Sequence, residues 1–71
     1  MKTNLRRFRF ERGELSQADL AERVAVSRQT IIAIERGDYS PSVRLALQLA
    51  HALHTTVEKL FELEASDAIT T

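Results

Sequence analysis

The sequence predicts an all-α domain built from five short helices. Apolar residues recur with helical spacing along the chain, cap residues precede these segments, and Gly13 and Gly37 follow two of them. With 71 residues, the chain has room for a single small domain over residues 1–71. Because only 6% of the residues are aromatic, we expect a mainly aliphatic core.

The first two helices are predicted from their caps and inward-facing stripes. Leu5 and Phe8 share one face of the first helix, which ends near Gly13. The second helix covers the segment QADLAERVA and follows Ser16, whose hydroxyl can accept a hydrogen bond from the amide of Asp19. Its inward stripe consists of Leu20, Ala21 and Val24.

The third helix carries the segment RQTIIAIER, which starts after the cap residue Ser27 and stops at Gly37. Ile31 and Ile34 lie on its inward face. A turn of two residues, Val26 and Ser27, separates it from the second helix. Helices joined by so short a turn cross steeply and present the start of the second one outward, as in a helix-turn-helix.

The fourth helix is predicted to start at about Ser42, after a loop that contains the single proline of the chain. A fifth helix, VEKLF, follows a cap at Thr55 or Thr56. The apolar face of the fourth helix is expected to contain Val43, Leu45, Ala46, Leu49, Ala50 and Leu53. The bundle covers about residues 4–63, and we expect at least the last five residues of the tail, 64–71, to be mobile.

Charge is distributed unevenly along the chain, although ten Lys and Arg balance ten Asp and Glu. Residues 1–44 carry a net charge of +3 and residues 45–71 a net charge of −3. Nucleic-acid binders are usually basic overall, so the neutral sum argues against that class. The asymmetry nevertheless allows one end of the molecule to face phosphates.

Several classes of function are excluded by what the sequence lacks. There is no cysteine, and His51 and His54 have no third ligand nearby, so we expect no metal and no cofactor. No nucleophile–base pair, carboxylate dyad or phosphate loop indicates an enzyme. The longest apolar run, at residues 31–34, is too short to span a membrane, and no secretory signal is present. We expect a cytoplasmic protein without a small-molecule ligand.

The segment LSQADLAERVAVSRQTIIAIERGDYSPSVRLALQLAHAL, followed by VEKLF, resembles the Cro/repressor-type helix-turn-helix family of transcriptional regulators, also called the xenobiotic-response-element family. The resemblance covers about residues 4–63. It implies a compact lambda-repressor-like bundle with the helix-turn-helix at helices two and three. The matching residues are Gln17, Ala21, Ser27, Arg28, Gln29, Thr30, Ile31, Ile34, Glu35, Arg36, Gly37, Pro41 and Ser42.

Three residues depart from the family pattern. Ala25 stands where a turn glycine is usual, His54 replaces the glycine that commonly ends the fourth helix, and Glu14 resembles a one-residue insertion. A positive φ at Ala25 would imply modest backbone strain. None of the three residues lies on the surface that the family uses to read DNA.

The resemblance implies sequence-specific binding to double-stranded operator DNA. Arg28 and Gln29 would reach base edges, since arginine suits guanine and glutamine suits adenine. Ile32 and Ala33 lie on the same outward arc, where an isoleucine can contact a thymine methyl group. The residues implied at the DNA backbone are Gln17, Ser27, Thr30, Arg36, Ser40, Ser42 and Arg44.

The first helix carries a cationic run whose role the sequence leaves partly open. Arg9 matches a family position that forms an internal ion pair with Glu35. The run as a whole, which consists of Arg6, Arg7, Arg9 and Arg12, forms either a solvated face or a contact with flanking DNA. Phe10 lies off the face shared by Leu5 and Phe8, and we expect a partly covered position for it.

A homodimer on a palindromic operator is also implied. One recognition helix reads few base pairs, and a second copy about one helical turn (~34 Å) away multiplies specificity. The chain ends of short relatives can pair as a small antiparallel β-ribbon, here residues 1–3 against 61–64. We expect repression through occupation of a promoter. The predicted dimer surface contains Leu53, Val57, Leu60, Phe61 and Leu63.

An antitoxin-like or adaptor role is the alternative function. In that case the fold would mainly hold a protein partner, and DNA binding would be secondary. It predicts an apolar patch outside the dimer surface, and the residues that hint at one are Phe10, Leu63 and Ile69.

Overall fold

Five helices and one two-stranded sheet make up the computed structural model, which describes residues 1–65. The last five residues, which the sequence predicts to be mobile, lie outside the described residues. The elements in chain order are β1 (Lys2–Thr3), α1 (Leu5–Glu11), α2 (Gln17–Arg23), α3 (Arg28–Arg36), α4 (Val43–Ala52), α5 (Val57–Leu60) and β2 (Phe61–Glu62). The five predicted helices are confirmed. The second ends two residues earlier than predicted, and Phe61 belongs to β2 rather than to the fifth helix.

A hydroxyl group caps the start of each helix from α2 to α5. In each case the side-chain oxygen accepts a hydrogen bond from the backbone amide three residues later, which satisfies a donor that the helix itself leaves unpaired. Ser16 and Asp19 also bond reciprocally, as the sequence predicts. The four cap residues are Ser16, Ser27, Ser42 and Thr56.

The core is aliphatic apart from one aromatic ring, as expected from the composition. One predicted core residue is wrong: Val43 is 77% exposed. It shares the outer face of α4 with Leu47, four residues later, because the inward stripe of that helix runs through Leu45 and Leu49. The buried apolar residues are Leu5, Phe8, Leu15, Leu20, Ala21, Val24, Ile31, Ile34, Leu45, Ala46, Leu49, Ala50, Leu53 and Leu60.

The two strands join both ends of the bundle. They pair antiparallel, with Lys2 opposite Glu62 and Thr3 opposite Phe61. Asn4 continues the connection, since its backbone amide donates to the carbonyl of Leu60 at 2.8 Å. The predicted ribbon is therefore present in one chain, with two residues in each strand.

An ion pair between Arg9 and Glu35 ties α1 to the end of α3. The Arg9 Nε donates to Glu35 Oε2 at 2.8 Å, and its Nη2 donates to Oε1 at 3.3 Å. Its Nη1 donates to the carbonyl of Leu15 at 2.8 Å. Both side chains are more than nine-tenths buried, so the charges are held away from water and depend on each other.

The turn between α2 and α3 holds Ala25 in the left-handed region, with φ at 57°. An L-residue with a Cβ is strained there, and glycine is not. His54, which replaces the glycine at the end of α4, has a similar φ of 52°. By contrast, the residue that ends α3 is Gly37, with φ at 80°. The expected strain at Ala25 is thus present.

Ala25→Gly should stabilise the chain. Removing the Cβ relieves the left-handed strain, and the greater freedom of glycine in the unfolded chain offsets part of that gain, so we expect about 0.5–1 kcal/mol. Thermal unfolding followed by circular dichroism measures the change. The same substitution at Ala18, inside α2, should be destabilising, and equal effects at both positions would contradict the strain.

Glu35→Ala should destabilise the chain by about 3–5 kcal/mol, because it leaves the Arg9 guanidinium buried without its counter-charge. Urea unfolding at equilibrium provides the measurement. The double variant Arg9→Met with Glu35→Leu is the control, since it removes both charges and keeps the volume. We expect a smaller loss for the pair than for Glu35→Ala alone.

Candidate nucleic-acid interface

The angle between α2 and α3 is fixed by packing at their crossing. Ala21 is buried there, and its small side chain allows the two backbones to approach. The carbonyl of Ala21 accepts the amide of Val26 at 3.0 Å, which fastens the turn to α2. Leu20, Ile31 and Ile34 fill the space beneath the crossing and are almost fully buried. The predicted helix-turn-helix is therefore formed.

The start of α3 faces outward. Arg28 and Gln29 are its first two residues, and both are exposed. The Ser27 hydroxyl accepts from the backbone amide of Thr30 at 3.2 Å and lies 3.0 Å from the Thr30 hydroxyl, which fixes the first turn. A guanidinium and an amide thus stand side by side on a rigid helix start, and both can form paired hydrogen bonds with base edges.

A chain of hydrogen bonds connects Arg28 to the buried ion pair. Arg28 Nη2 donates to Gln17 Oε1 at 3.4 Å, and Gln17 Nε2 donates to Glu35 Oε1 at 3.1 Å. Glu35 in turn accepts from Arg9. Sequence spacing does not predict this link between Gln17 and the ion pair, because residues 9, 17, 28 and 35 meet only in the folded chain.

The remaining residues expected at DNA occupy different environments. Ile32 and Ala33 are half-buried, whereas Ser40 and Arg44 are exposed. Arg36 is exposed, and its Nε lies 3.4 Å from Asp38 Oδ2, so part of its charge is balanced within the protein. The exposed Ser42 uses its oxygen to cap α4 but keeps a hydroxyl hydrogen to donate.

The predicted dimer surface requires correction. Leu53 and Leu60 are fully buried in the core of the single chain, so neither can contact a partner directly. Val57 and Phe61 are half-buried, and Leu63 is 73% exposed. Helical periodicity does not predict the outer face of α4 as a contact surface, because it identifies the inward stripe and not an exposed one.

Two exposed side chains on α4 extend the available apolar surface. Val43 and Leu47 follow each other at helical spacing, and Leu47 is 57% exposed. Leu47 and Val57 line one open groove of about 340 Å³ between α4 and α5. The other residues of this groove are Ala50, His51, Thr55, Thr56 and Glu58.

Phe10 is 51% exposed, so about half of it is covered, as expected. The guanidinium groups of Arg6 and Arg9 lie over its ring, with 5.7 Å and 5.1 Å between each Cζ and the ring centroid. Of the other residues proposed for a protein-binding patch, Leu63 is exposed and Ile69 lies outside the described residues.

Residues 1–65 contain no group of three or more His, Asp or Glu side chains arranged to hold a metal ion. Within the same residues, no helix has the length and apolar character needed to cross a bilayer.

Sequence comparison identifies the family. A family model described as helix-turn-helix matches residues 6–60. An uncharacterized HTH-type transcriptional regulator of Methanothermobacter thermautotrophicus is 51% identical over 69 residues, which cover 96% of this chain and 99% of that protein. The match therefore extends over nearly the full length of both chains.

Two solved structures of regulators share the architecture. The restriction-modification controller protein C.AhdI from Aeromonas hydrophila is 37% identical with a TM-score of 0.72, over 80% of this chain and 85% of that one. The clp gene regulator ClgR from Corynebacterium glutamicum is 36% identical with a TM-score of 0.69. That match covers 75% of this chain and 55% of ClgR, so this chain spans little more than half of ClgR.

The helix-turn-helix geometry, the family model and the named relatives agree. The relatives are transcriptional regulators and not enzymes. The lambda-repressor-like fold and the resemblance on which it was predicted are both confirmed. The chain belongs to the Cro/repressor-type helix-turn-helix family of DNA-binding transcriptional regulators.

Proposed function

We propose that this regulator is a repressor that binds a palindromic operator as a homodimer, with α3 of each copy in the major groove. The observation that carries the proposal is the pair of exposed side chains, Arg28 and Gln29, at the rigid start of α3. Both are placed on the helix that a helix-turn-helix inserts into DNA. We place the protein in the cytoplasm, where it would act on its DNA.

Base recognition is assigned to four residues on α3. Arg28 donates two hydrogen bonds to O6 and N7 of a guanine, and Gln29 pairs with N6 and N7 of an adenine. Ile32 and Ala33 lie one turn further along, where their partly exposed methyl groups can contact a thymine methyl. The bond from Arg28 to Gln17 supports this assignment, since it limits the directions in which the guanidinium points.

The DNA backbone is held by residues around α3. Gln17 is bonded to Glu35 and Arg28, and its amide group lies at the edge of the reading surface, where one remaining N–H can donate to a phosphate. Arg44 is exposed, and no carboxylate among residues 1–65 pairs with it. The other assigned residues are Ser27, Thr30, Arg36, Ser40 and Ser42, all of which carry a donor.

The dimer surface is proposed at the outer face of α4 and its junction with α5. Val43, Leu47 and Val57 expose apolar area there, and Leu63 extends it beyond β2. Pairing these surfaces would remove apolar side chains from water. It would also bring the net negative C-terminal segments to the middle of the dimer, away from the phosphates. Occupation of a promoter by this dimer would block transcription.

Arg28→Ala should weaken binding to the cognate operator by about 1–3 kcal/mol and relax the preference at one base pair. The operator is first obtained by selection from randomised duplexes, and affinities are then measured on that site and on single-base variants. Arg28→Lys is the matched control, because it keeps the charge and loses the planar pair of donors. It should lose the same base preference and retain more affinity.

Equal losses on the operator and on random DNA would assign Arg28 to a phosphate and contradict base recognition. If selection yields no preferred sequence, the DNA-reading role itself fails. A main role as an adaptor for a protein partner would then be favoured.

Leu47→Glu combined with Val57→Glu should convert the dimer to monomers, because each change places a carboxylate in the apolar contact. Sedimentation equilibrium measures the mass, and circular dichroism confirms the fold. Phe10→Glu is the control, since it adds one carboxylate at an exposed aromatic residue on α1 and should leave the dimer intact. A dimeric mass in the double variant would rule out this surface.

A further inference from the structure

We propose that Arg6, held against the ring of Phe10, binds an additional DNA phosphate and extends the interface from the helix-turn-helix onto α1. This inference rests on the proposed function, because the phosphate belongs to the same bound duplex. It assigns a role to one member of a cationic run whose purpose the sequence leaves open.

Arg6 differs from the other arginines near α1 in having no anionic or backbone acceptor among residues 1–65. The Nε of Arg7 lies 3.8 Å from Oε1 of Glu11, which is one turn further along the same helix. Arg9 is already paired with Glu35 in the buried ion pair. Arg12 Nε donates to the carbonyl of Leu53 at 3.1 Å. The described structure therefore leaves the charge of Arg6 available to an external anion.

The position of Arg6 places this charge beside the reading surface. Arg6 and Phe10 from α1 line an open groove of about 460 Å³ together with Gln17 and Arg28. The floor of that groove is formed by the neutralised pair of Arg9 and Glu35. Its rim carries Arg6 and Arg28 and therefore has a net positive charge, which suits a phosphate. A duplex seated on Arg28 and Gln17 would run directly past it.

Phe10 explains why the Arg6 side chain is directed into this groove. The two residues are four apart on α1 and share a helix face. The Arg6 Cζ lies 5.7 Å from the ring centroid, a cation–π distance. The ring is half exposed and contributes little to the core, so its role is to restrict the Arg6 side chain. A restricted donor loses less conformational freedom when it binds its anion.

Arg6→Ala should reduce the steepness with which affinity falls with salt. Removing one phosphate contact lowers the slope of log K against log salt concentration by about 0.9, and we expect the affinity at moderate salt to fall equally on operator and random DNA. Arg7→Ala is the matched control, since it removes the same charge from the next residue of α1. Its slope should stay close to that of the unmodified protein.

The phosphate itself can be located by neutralising DNA phosphates one at a time with methylphosphonate. We expect one flanking position at which neutralisation weakens the unmodified protein and Arg7→Ala, but has no effect on Arg6→Ala. Phe10→Leu should keep the sensitivity at that position and bind less tightly, because the arginine remains but is no longer restricted.

The inference is overturned if Arg6→Ala and Arg7→Ala have the same salt slope, or if no neutralised phosphate distinguishes them. Binding of an acidic protein partner by Arg6, with no effect on DNA, would also overturn it. These outcomes leave the proposed function intact, since that function is tested separately by the base preference lost in Arg28→Ala. Unfolding temperatures identify any variant that is simply misfolded, and Arg6→Gln, which also removes the charge, then provides the folded comparison.

Discussion

The ion pair between Arg9 and Glu35 is the interaction on which the arrangement of the proposed DNA-reading surface depends. It joins α1 to α3, and it also passes through Gln17 to Arg28 at the surface. Each of these buried charges is stabilised by the opposite charge of its partner. The distance and orientation of the two side chains are therefore narrowly defined. The direction of an exposed side chain is thereby set by a buried contact, and fold and recognition share one network.

The helix-turn-helix combines tight packing with a strained turn. Ala21 permits a close crossing, whereas Ala25 occupies a backbone conformation that favours glycine. The surrounding contacts, including the bond from Val26 to Ala21, hold the turn in spite of that strain. The turn therefore holds α3 rigidly in position at some cost in stability. Such strain is typical of sites where the required geometry outweighs the local backbone preference.

Much of the fold could be predicted from local signals. The bounds of α3 and the caps at Ser16 and Ser27 follow from short-range rules that act within a few residues, whereas the strain at Ala25 was expected from the family resemblance. Helical periodicity is less informative at element ends. It predicts Val43 in the core and Phe61 in a helix, and both predictions are wrong. Each residue advances about 100° around a helix, so a shift of one or two residues changes the face on which a side chain lies.

What the sequence could not reveal depends on contacts between distant residues. The bond from Gln17 to Glu35 joins α2 to α3, and the groove beside Arg6 forms where α1, α2 and α3 meet. Spacing along the chain does not predict such contacts between elements. The same reason explains the error at Leu53 and Leu60. Both are apolar residues near the C-terminal end, but only the packed structure shows that they are enclosed within their own chain.

The pairing of Lys2 with Glu62 has a consequence for the order in which the molecule is assembled. It joins residues almost as far apart along the backbone as the described chain permits, so closing this loop has a higher entropic cost than closing a local contact. Such distant contacts form late, after the local helices. During translation, β1 therefore cannot pair with β2 until residue 62 has emerged from the ribosome. The domain can close only after that point.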